Sequence, residues 1–422
     1  MPSENATVSD DLHAILKARG LVAQCTDDRI SERLSQPVAC YCGFDPTADS
    51  LHVGSLVPIM GLAHAQRCGH RPIVLVGGAT GLVGDPSGKT EARQMLTAET
   101  IRANAEAIAQ QIGRFVRFDD SPTGAVLVNN LDWIGPRSWL DVLRDVGSRV
   151  SVNRMMSMES VKQRMAGDNA GISYLEFSYM ILQAIDFVEL FKSHGCTLQL
   201  GGQDQWGNIV MGIELGRKLE DADLAGLTFP LVTKSDGGKF GKSETGNIWL
   251  DANRTPVFEF FQFWRNVDDG DVGRYLRYFT FLPPKDISRL ESVEGAAINA
   301  SKITLAYEVT KLVHGEAEAT KARDSAAGAF SSGGPDVTGD AVPKAALSTD
   351  ELAGGLGVIE LMKRAGFAGS NGEAKRLIQG GGVRIGETKV TDLAASVNAR
   401  DVTDGYVLLR VGKKKLFRFD VG

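Results

Sequence analysis

The sequence predicts an α/β protein: a doubly wound, mostly parallel Rossmann-like domain, then an α-helical domain, then a small α+β module. Three observations predict it. Between residues 33 and 250, short apolar runs bounded by Gly, Asp or Asn alternate with longer amphipathic stretches, the pattern of a parallel sheet with helical crossovers. From 251 to 330 strand signals thin out and helical periodicity takes over, as in ASKITLAYEVTKLVHG (300–315). After SSGGPDVTGDAVPKA (331–345), rich in Gly, Ser and Pro and read as a linker, a fresh apolar pattern starts.

The strand candidates are the start of YCGFDPTADSLHVGSL (41–56), RPIVLVGG (71–78), GAVLVNN (124–130), TLQLGG (197–202) and LTFPLVT (227–233). A helix is expected to begin near His52. The run EFSYMILQAIDFVELF (176–191) has helical spacing throughout. In the last segment, GLGVIELMKRAGFA (355–368) and SNGEAKRLIQGGGVRI (370–385) predict two helices. Ser370 and Glu373 stand in capping-box relation, and Gly380 to Gly382 stop the second helix. VRIGETKVT (383–391) reads as a hairpin about Gly386-Glu387.

Size and composition narrow the class. At 422 residues the chain accommodates two to four domains, and 43% hydrophobic with 23% charged residues excludes general disorder. No apolar run approaches the ~20 residues a bilayer span needs. The first twenty residues fit neither a secretory signal nor an Arg-rich transit peptide. Five scattered cysteines, with only Cys40 and Cys42 close together, make neither a disulfide framework nor a zinc site. The expectation is a reducing cytoplasm and no structural metal. Overall charge is −6, from 46 basic and 52 acidic residues, which argues against a protein coated in nucleic acid. The charge is uneven, however: residues 357–422 carry 12 Lys and Arg against 7 Asp and Glu. A basic module on an acidic body suits local contact with a polyanion, and a solvated surface fits it equally well.

Four segments carry chemistry. In the first, Thr47, His52 and Ser55 cluster near the positive end of the predicted helix, where phosphate is favoured, and Gly54 allows close backbone approach. Taken alone, His-x-Gly fits an ordinary turn better. The second, GGATGLVGDPSGKTEAR (77–93), is glycine-rich after a strand, but Gly84 to Gly88 has three intervening residues where a P-loop needs four. The third, KFGKSE (239–244), is a cationic loop able to close over a triphosphate; alone it is equally a basic surface loop.

The fourth is the most informative. Tyr179, Gln183 and Asp186 form one line on a helix whose neighbours are apolar. Burying three polar groups in a row costs several kcal/mol unless partners satisfy them. A small zwitterionic ligand is one such partner, and an internal polar network is the other. GGQDQWGNI (201–209) follows a strand and places Asp204, Gln205 and Asn208 where a parallel sheet binds ribose.

Together these segments resemble the class I aminoacyl-tRNA synthetases, specifically the bacterial-type tyrosyl-tRNA synthetases. LHVGSL stands where that family has His-Ile-Gly-His, and KFGKS where it has Lys-Met-Ser-Lys-Ser. YCGFDPTADSLHVG, GATGLVGDPSGK, EFSYMILQAIDF, GGQDQWGNI and KFGKSETGNIWLD follow the family's order and spacing, and the likeness runs from about residue 33 to the C-terminus. The resemblance implies a catalytic domain over 1–250, with a dimerisation region inserted at about 120–200. It implies a helical anticodon-side domain over 251–330, a linker over 331–356 and a ribosomal-protein-type RNA-binding domain over 357–422.

The resemblance also implies roles. Tyr41 and Asp186 would hydrogen-bond the phenol of a tyrosine substrate, and Asp85, Tyr179 and Gln183 would hold its ammonium. His52 and Thr47 would meet the ATP phosphates, joined in the transition state by Lys89, Arg93, Lys239 and Lys242. Gly202, Asp204 and Gln205 would face the ribose, Leu231 and Val232 the adenine, with Gly43 and Asp45 between the two substrates. Ser243 fits the loop pattern. Ser55 replaces the family's second signature histidine; it can donate a hydrogen bond but carries no charge. Lys375, Arg376, Lys413, Lys414 and Lys415 would contact RNA. The implied partners are L-tyrosine, ATP with Mg²⁺ as substrate, tRNA(Tyr) and a second copy of the chain.

Three other readings share some of these features. A tryptophanyl-tRNA synthetase has the same signatures, but the Tyr41/Asp186 pair and the C-terminal module disfavour it. A nucleotidyltransferase of the same signature type needs no basic RNA module. A non-catalytic RNA-binding protein would have no need of His52, Asp186, Lys239 and Lys242.

Overall fold

Six strands build the sheet that positions the site: β1 (Gln24–Cys25), β2 (Ala39–Phe44), β3 (Arg71–Val76), β4 (Val126–Asn129), β5 (Cys196–Gly202) and β6 (Ala225–Phe229). Their order is β1-β6-β5-β2-β3-β4, with β2 to β6 parallel and β1 antiparallel on β6. The chain winds outward from β2 through β3 to β4, then returns to β5 and winds the other way. The strand order therefore reverses between β2 and β5, the place where open α/β sheets bind ligands at their carboxyl edge. This computed structural model describes residues 10–87, 96–166, 171–233, 235, 240–243, 246–328, 342–412 and 415–422, without the side chains of Lys242, Ser243 and Lys415.

The predicted strands form, with one difference. LTFPLVT was expected to continue to 233, but β6 stops at Phe229 because Pro230 has no N–H to give the ladder, so 230–233 is loop. The helix Leu56–Arg67 packs under the sheet with ten of its twelve residues buried. The central helix Tyr174–His194 starts at a capping box of Ser173 and Glu176, backed by a buried Arg164–Glu176 ion pair at 2.9 Å. It ends at Gly195, in the left-handed conformation.

The chain divides into two units, Met1–Asp251 with Val267–Ser301, and Ala252–Asn266 with Lys302–Gly422. The expected helical domain over 251–330 is thus split. Phe240 stacks on Phe279 at 5.5 Å, and Arg19 binds the carbonyls of Arg277, Thr280 and Leu282, holding Val267–Ser301 in the first unit. The insertion expected at about 120–200 is also narrower, because β4 and β5 belong to the sheet and the inserted helices lie between them. After the short hairpin β7 (Lys242–Ser243) and β8 (Gly246–Asn247), no further strand is described until β9.

In the second unit, β9 (Lys344–Leu347), β11 (Val383–Ile385), β12 (Thr388–Lys389), β14 (Tyr406–Val411) and β15 (Lys415–Val421) form one sheet, in the order β12-β11-β14-β15-β9. β10 (Leu356–Gly357) pairs with β13 (Ser396–Val397). The β11–β12 hairpin turns at Gly386-Glu387, as predicted. The linker expected over 331–356 is too long. β9 pairs parallel with β15, and a capped helix Thr349–Ala353 follows, with Leu347 and Leu352 buried in the same core as Val358 and Phe419. Ser370 caps Asn371–Gln379, but Glu373 returns its bond to the N–H of Gly369 rather than to that of Ser370.

Candidate active site

A cavity of about 760 Å³ opens at the carboxyl edge of the sheet, between the ends of β2 and β5. It is lined by Tyr41, Gly43, Asp45, Thr47, His52, Ser55, Asp85, Tyr179, Gln183, Asp186, Gly202, Asp204, Gln205, Leu231 and Val232. These are all the sequence-derived catalytic-domain candidates with described side chains except Asn208, which is buried and bonds Gln183 and Gln205. Lys89, Arg93 and Lys239 lie outside the described residues, as do the side chains of Lys242 and Ser243, whose backbone forms β7. Lys413 and Lys414 also lie outside, and Lys415 opens β15. Lys375 and Arg376 sit exposed on the helix Asn371–Gln379 of the second unit. Among the described residues, no group of three or more His, Cys, Asp or Glu is placed to hold a metal.

The deep end of the cavity is a buried polar pair. Tyr41 on β2 is 1% exposed, packs edge-on against Phe187 at 5.2 Å, and its Oη has no hydrogen-bond partner among the described residues. Asp186 is 2% exposed and accepts one bond at each oxygen, from Asn130 Nδ2 at 3.0 Å and Trp133 Nε1 at 2.9 Å. Each carboxylate oxygen keeps a second lone pair. Desolvation pushes the Asp186 carboxyl up to about 7 despite these two donors. Desolvation, with the nearby Asp186 charge, holds the Tyr41 phenol well above its ordinary range. A hydroxyl placed between them would give Tyr41 its missing partner and Asp186 a third donor.

Nearer the mouth, the Tyr179 hydroxyl donates to Asp45 Oδ2 at 2.9 Å, and Thr80 Oγ1 donates to Asp45 Oδ1 at 2.8 Å. Gln205 Nε2 donates to Asp85 at 2.7 Å and to Asp204 at 3.3 Å. Gln183 Oε1 accepts from Asn208 Nδ2 at 2.9 Å. Three carboxylates (Asp45, Asp85, Asp204) therefore line the middle of the cavity, a field suited to an ammonium group and to ribose hydroxyls.

Elsewhere on the lining, His52 caps the turn Val53–Ser55 and its Nδ1 accepts the Gly54 N–H at 3.0 Å. In the neutral ring this leaves the proton on Nε2. A Cβ at Gly54 would lie 2.7 Å from the His52 ring and push it out of this cap. The chain leaving the cationic loop is tied to the same turn. Val53 N–H donates to Ile248 O at 3.0 Å, Leu250 N–H to Leu51 O at 2.8 Å, and Ile248 N–H to Gly241 O at 2.9 Å. Gly241, at φ +77°, approaches so closely that a Cβ would sit 2.9 Å from Val53 Cγ2. The two signatures thus form one backbone assembly.

Sequence reasoning missed Asn130, Trp133, Thr80, Gln199 and Cys42. Gln199 is buried on β5 in register with Tyr41, and its Oε1 has no hydrogen-bond partner among the described residues. A single amide inside the apolar run Leu198–Leu200 was the signal for it. Cys42 lines the cavity on β2, its thiol pushed up to about 12, mainly by burial.

The raised Asp186 carboxyl gives a pH prediction. A phenol hydroxyl donates to the ionised form, so affinity for a phenolic ligand rises as pH increases through about 7, with proton release on binding. Without ligand the sign reverses, and this group's contribution to folding stability is lost between about pH 4 and 7. Calorimetric titration with tyrosine across that range checks the first statement; a flat affinity profile, or one unchanged in Asp186→Asn, contradicts it.

Residues 33–331 match the family "tRNA synthetases class I (W and Y)", and residues 337–419 match "Tyrosine--tRNA ligase SYY-like C-terminal domain". A tyrosine--tRNA ligase of Rhizobium meliloti is 47% identical over 410 residues, covering 96% of this chain and 97% of that protein. One from Rhodospirillum rubrum is 47% identical over 404 residues, covering 95% and 96%. Among solved structures, a C-terminally truncated mitochondrial tyrosyl-tRNA synthetase from Aspergillus nidulans superimposes with a TM-score of 0.67 at 33% identity, covering 74% of this chain and 92% of that one. The chain belongs to the class I tRNA synthetase family of the W and Y enzymes.

Proposed function

We propose that the chain is a tyrosine–tRNA ligase that works in two steps in this cavity. The carboxylate of L-tyrosine attacks the α-phosphorus of ATP, which enters as its Mg²⁺ complex. The bond to the β-phosphate bridge breaks, leaving tyrosyl-adenylate and pyrophosphate. The terminal ribose hydroxyl of tRNA(Tyr) then attacks the activated carbonyl, and AMP departs. Neither step needs a protein nucleophile, so catalysis is positioning and charge stabilisation.

The carrying observation is the unpartnered Tyr41 hydroxyl beside Asp186 at the bottom of the cavity. Tyr41 and Asp186 take the phenol, while Asp85, Tyr179 and Gln183 take the ammonium. The exposed Leu231 and its neighbour Val232 offer an apolar surface to the adenine, with Asp204, Gln205 and Gly202 at the ribose. His52 Nε2–H and Thr47 meet the phosphates with the lysines of the cationic loop. Ser55 donates a hydrogen bond where the family's second signature histidine stands.

The second unit's basic surface carries the RNA, and the enzyme works as a symmetric dimer in the cytoplasm. The inserted helices leave Leu140 75% and Tyr174 63% exposed, with Trp139 against Tyr174 at 6.0 Å, an apolar patch suited to a second copy. Charging of tRNA(Tyr) with labelled tyrosine tests this function. Reversing two exposed charges, Lys375→Glu with Arg376→Glu, lowers charging about tenfold and makes it less sensitive to salt, with adenylate formation unchanged. Equal loss in both assays would contradict the division of labour.

A further inference from the structure

A second cavity of about 630 Å³ lies in the first unit, away from the catalytic one. Its walls are the exposed side of the helix Leu12–Ala18, the last turn of Leu56–Arg67, and the segment Arg277–Glu291. We propose that this cavity is a second small-molecule site, built for a flat apolar body bearing one carboxylate.

The charge follows from Arg19. It is 7% exposed, and its guanidinium donates Nη1 to the carbonyls of Arg277 and Thr280, at 3.0 and 2.7 Å, and Nη2 to Leu282 O at 2.8 Å. Among the described residues no carboxylate pairs with it, although Asp10 and Glu291 line the same cavity. The carbonyls at that helix end offset the guanidinium's charge only in part. The Nε–H and the second Nη2–H make no hydrogen bond among the described residues. Burial, and then the neighbouring Arg67, lower the Arg19 pKa, the mark of a cation without an anion nearby. Glu291, also on the wall, is already committed to Arg277.

His64 adds a second open valence. It is 4% exposed, lines the cavity, and its Nε2 has no hydrogen-bond partner among the described residues. Burial, with Arg19 and Arg67, lowers its pKa to about 3, so at neutral pH it is an uncharged hydrogen-bonding group. Flatness follows from Phe281, which takes the His64 ring edge-on at 5.0 Å and the Arg67 guanidinium over its face at 4.4 Å. Ala14, Ile15, Ala18, Pro284 and Ile287 complete an apolar wall. The volume is in the range of ordinary small-ligand sites, about 300–1,000 Å³.

This site is separate from the catalytic cavity. The twelve residues of Leu56–Arg67 span about 18 Å between the His52 turn at one end and His64 and Arg67 at the other. The two cavities share no lining residue.

The probe is naphthoate, titrated calorimetrically into the full chain with saturating L-tyrosine present to block the other aromatic pocket. One naphthoate is expected to bind per chain at sub-millimolar concentration, and the neutral isostere naphthalenemethanol about tenfold more weakly. Ala18→Trp fills the cavity from an exposed helix position and lowers naphthoate affinity about tenfold or more, with tyrosine binding as the control for folding. Arg19→Lys keeps the charge but loses the fork, and weakens the acid more than the alcohol. Absence of naphthoate binding at millimolar concentration, equal affinity for acid and alcohol, or full binding by Ala18→Trp would each overturn the proposal.

Discussion

Replacing Lys242 with alanine lowers tyrosine-dependent pyrophosphate exchange by about 10²–10³-fold, the usual effect of removing one preorganised charge from a transition state. Lys239→Ala does the same, and neither changes the dissociation constant for tyrosine. The reasoning starts from the backbone. Gly241 stands between the two lysines of KFGKS, its carbonyl accepts the Ile248 N–H, and Ile248 in turn binds Val53 of the His52 turn. The backbone between the two lysines is therefore tied to the His52 turn, where the proposal puts the phosphates, while the proposed phenol site lies deeper, at Tyr41 and Asp186. Charge added at the phosphates as pyrophosphate departs is absent in the ground state, so the loss falls on kcat for exchange rather than on tyrosine affinity. Single-turnover adenylate formation and equilibrium tyrosine binding separate the two. A lysine variant with normal exchange, or one that loses tyrosine affinity as much as rate, contradicts the assignment.

Asp186→Asn lowers the preference for tyrosine over phenylalanine by about 10- to 100-fold, with a smaller loss in turnover on tyrosine. In the native protein, phenylalanine would leave the Tyr41 hydroxyl without a partner and the Asp186 carboxylate without a third donor. A buried polar group left unsatisfied costs about 1–3 kcal/mol, and more when charged. The amide removes the charge and one acceptor, so the wrong substrate no longer strands an ion. Asp186→Ala erodes discrimination further, and it also orphans Asn130 Nδ2 and Trp133 Nε1, which donate to the native carboxylate. The ratio of kcat/KM for the two amino acids is the readout; an unchanged ratio in both variants refutes the role given to Asp186.

Much of the architecture was legible because it is local. The central helix is written in its apolar spacing, and the strands in short apolar runs with polar ends. The clustering of the catalytic-domain candidates was legible because parallel strands deliver their following residues to one edge, so motifs far apart in sequence converge. What stayed hidden depends on pairing across long separations. Asn130 and Trp133 reach Asp186 from beyond β4, and nothing in their own neighbourhood marks them as its donors. β9 is a strand only because β15 offers an edge, which is why Lys344–Leu347 passed for linker. The position of Val267–Ser301 was hidden likewise: its aromatic residues pair with Phe240, and its carbonyls with Arg19, both distant in sequence.

The central claim is that the buried polar line of the central helix, with Tyr41, receives the side chain and ammonium of tyrosine. Exchange of labelled pyrophosphate into ATP, run with each standard amino acid in turn, tests it most directly. The account predicts exchange with tyrosine and essentially none with phenylalanine or tryptophan. Exchange driven equally by phenylalanine or tryptophan, or absent with tyrosine, would contradict it.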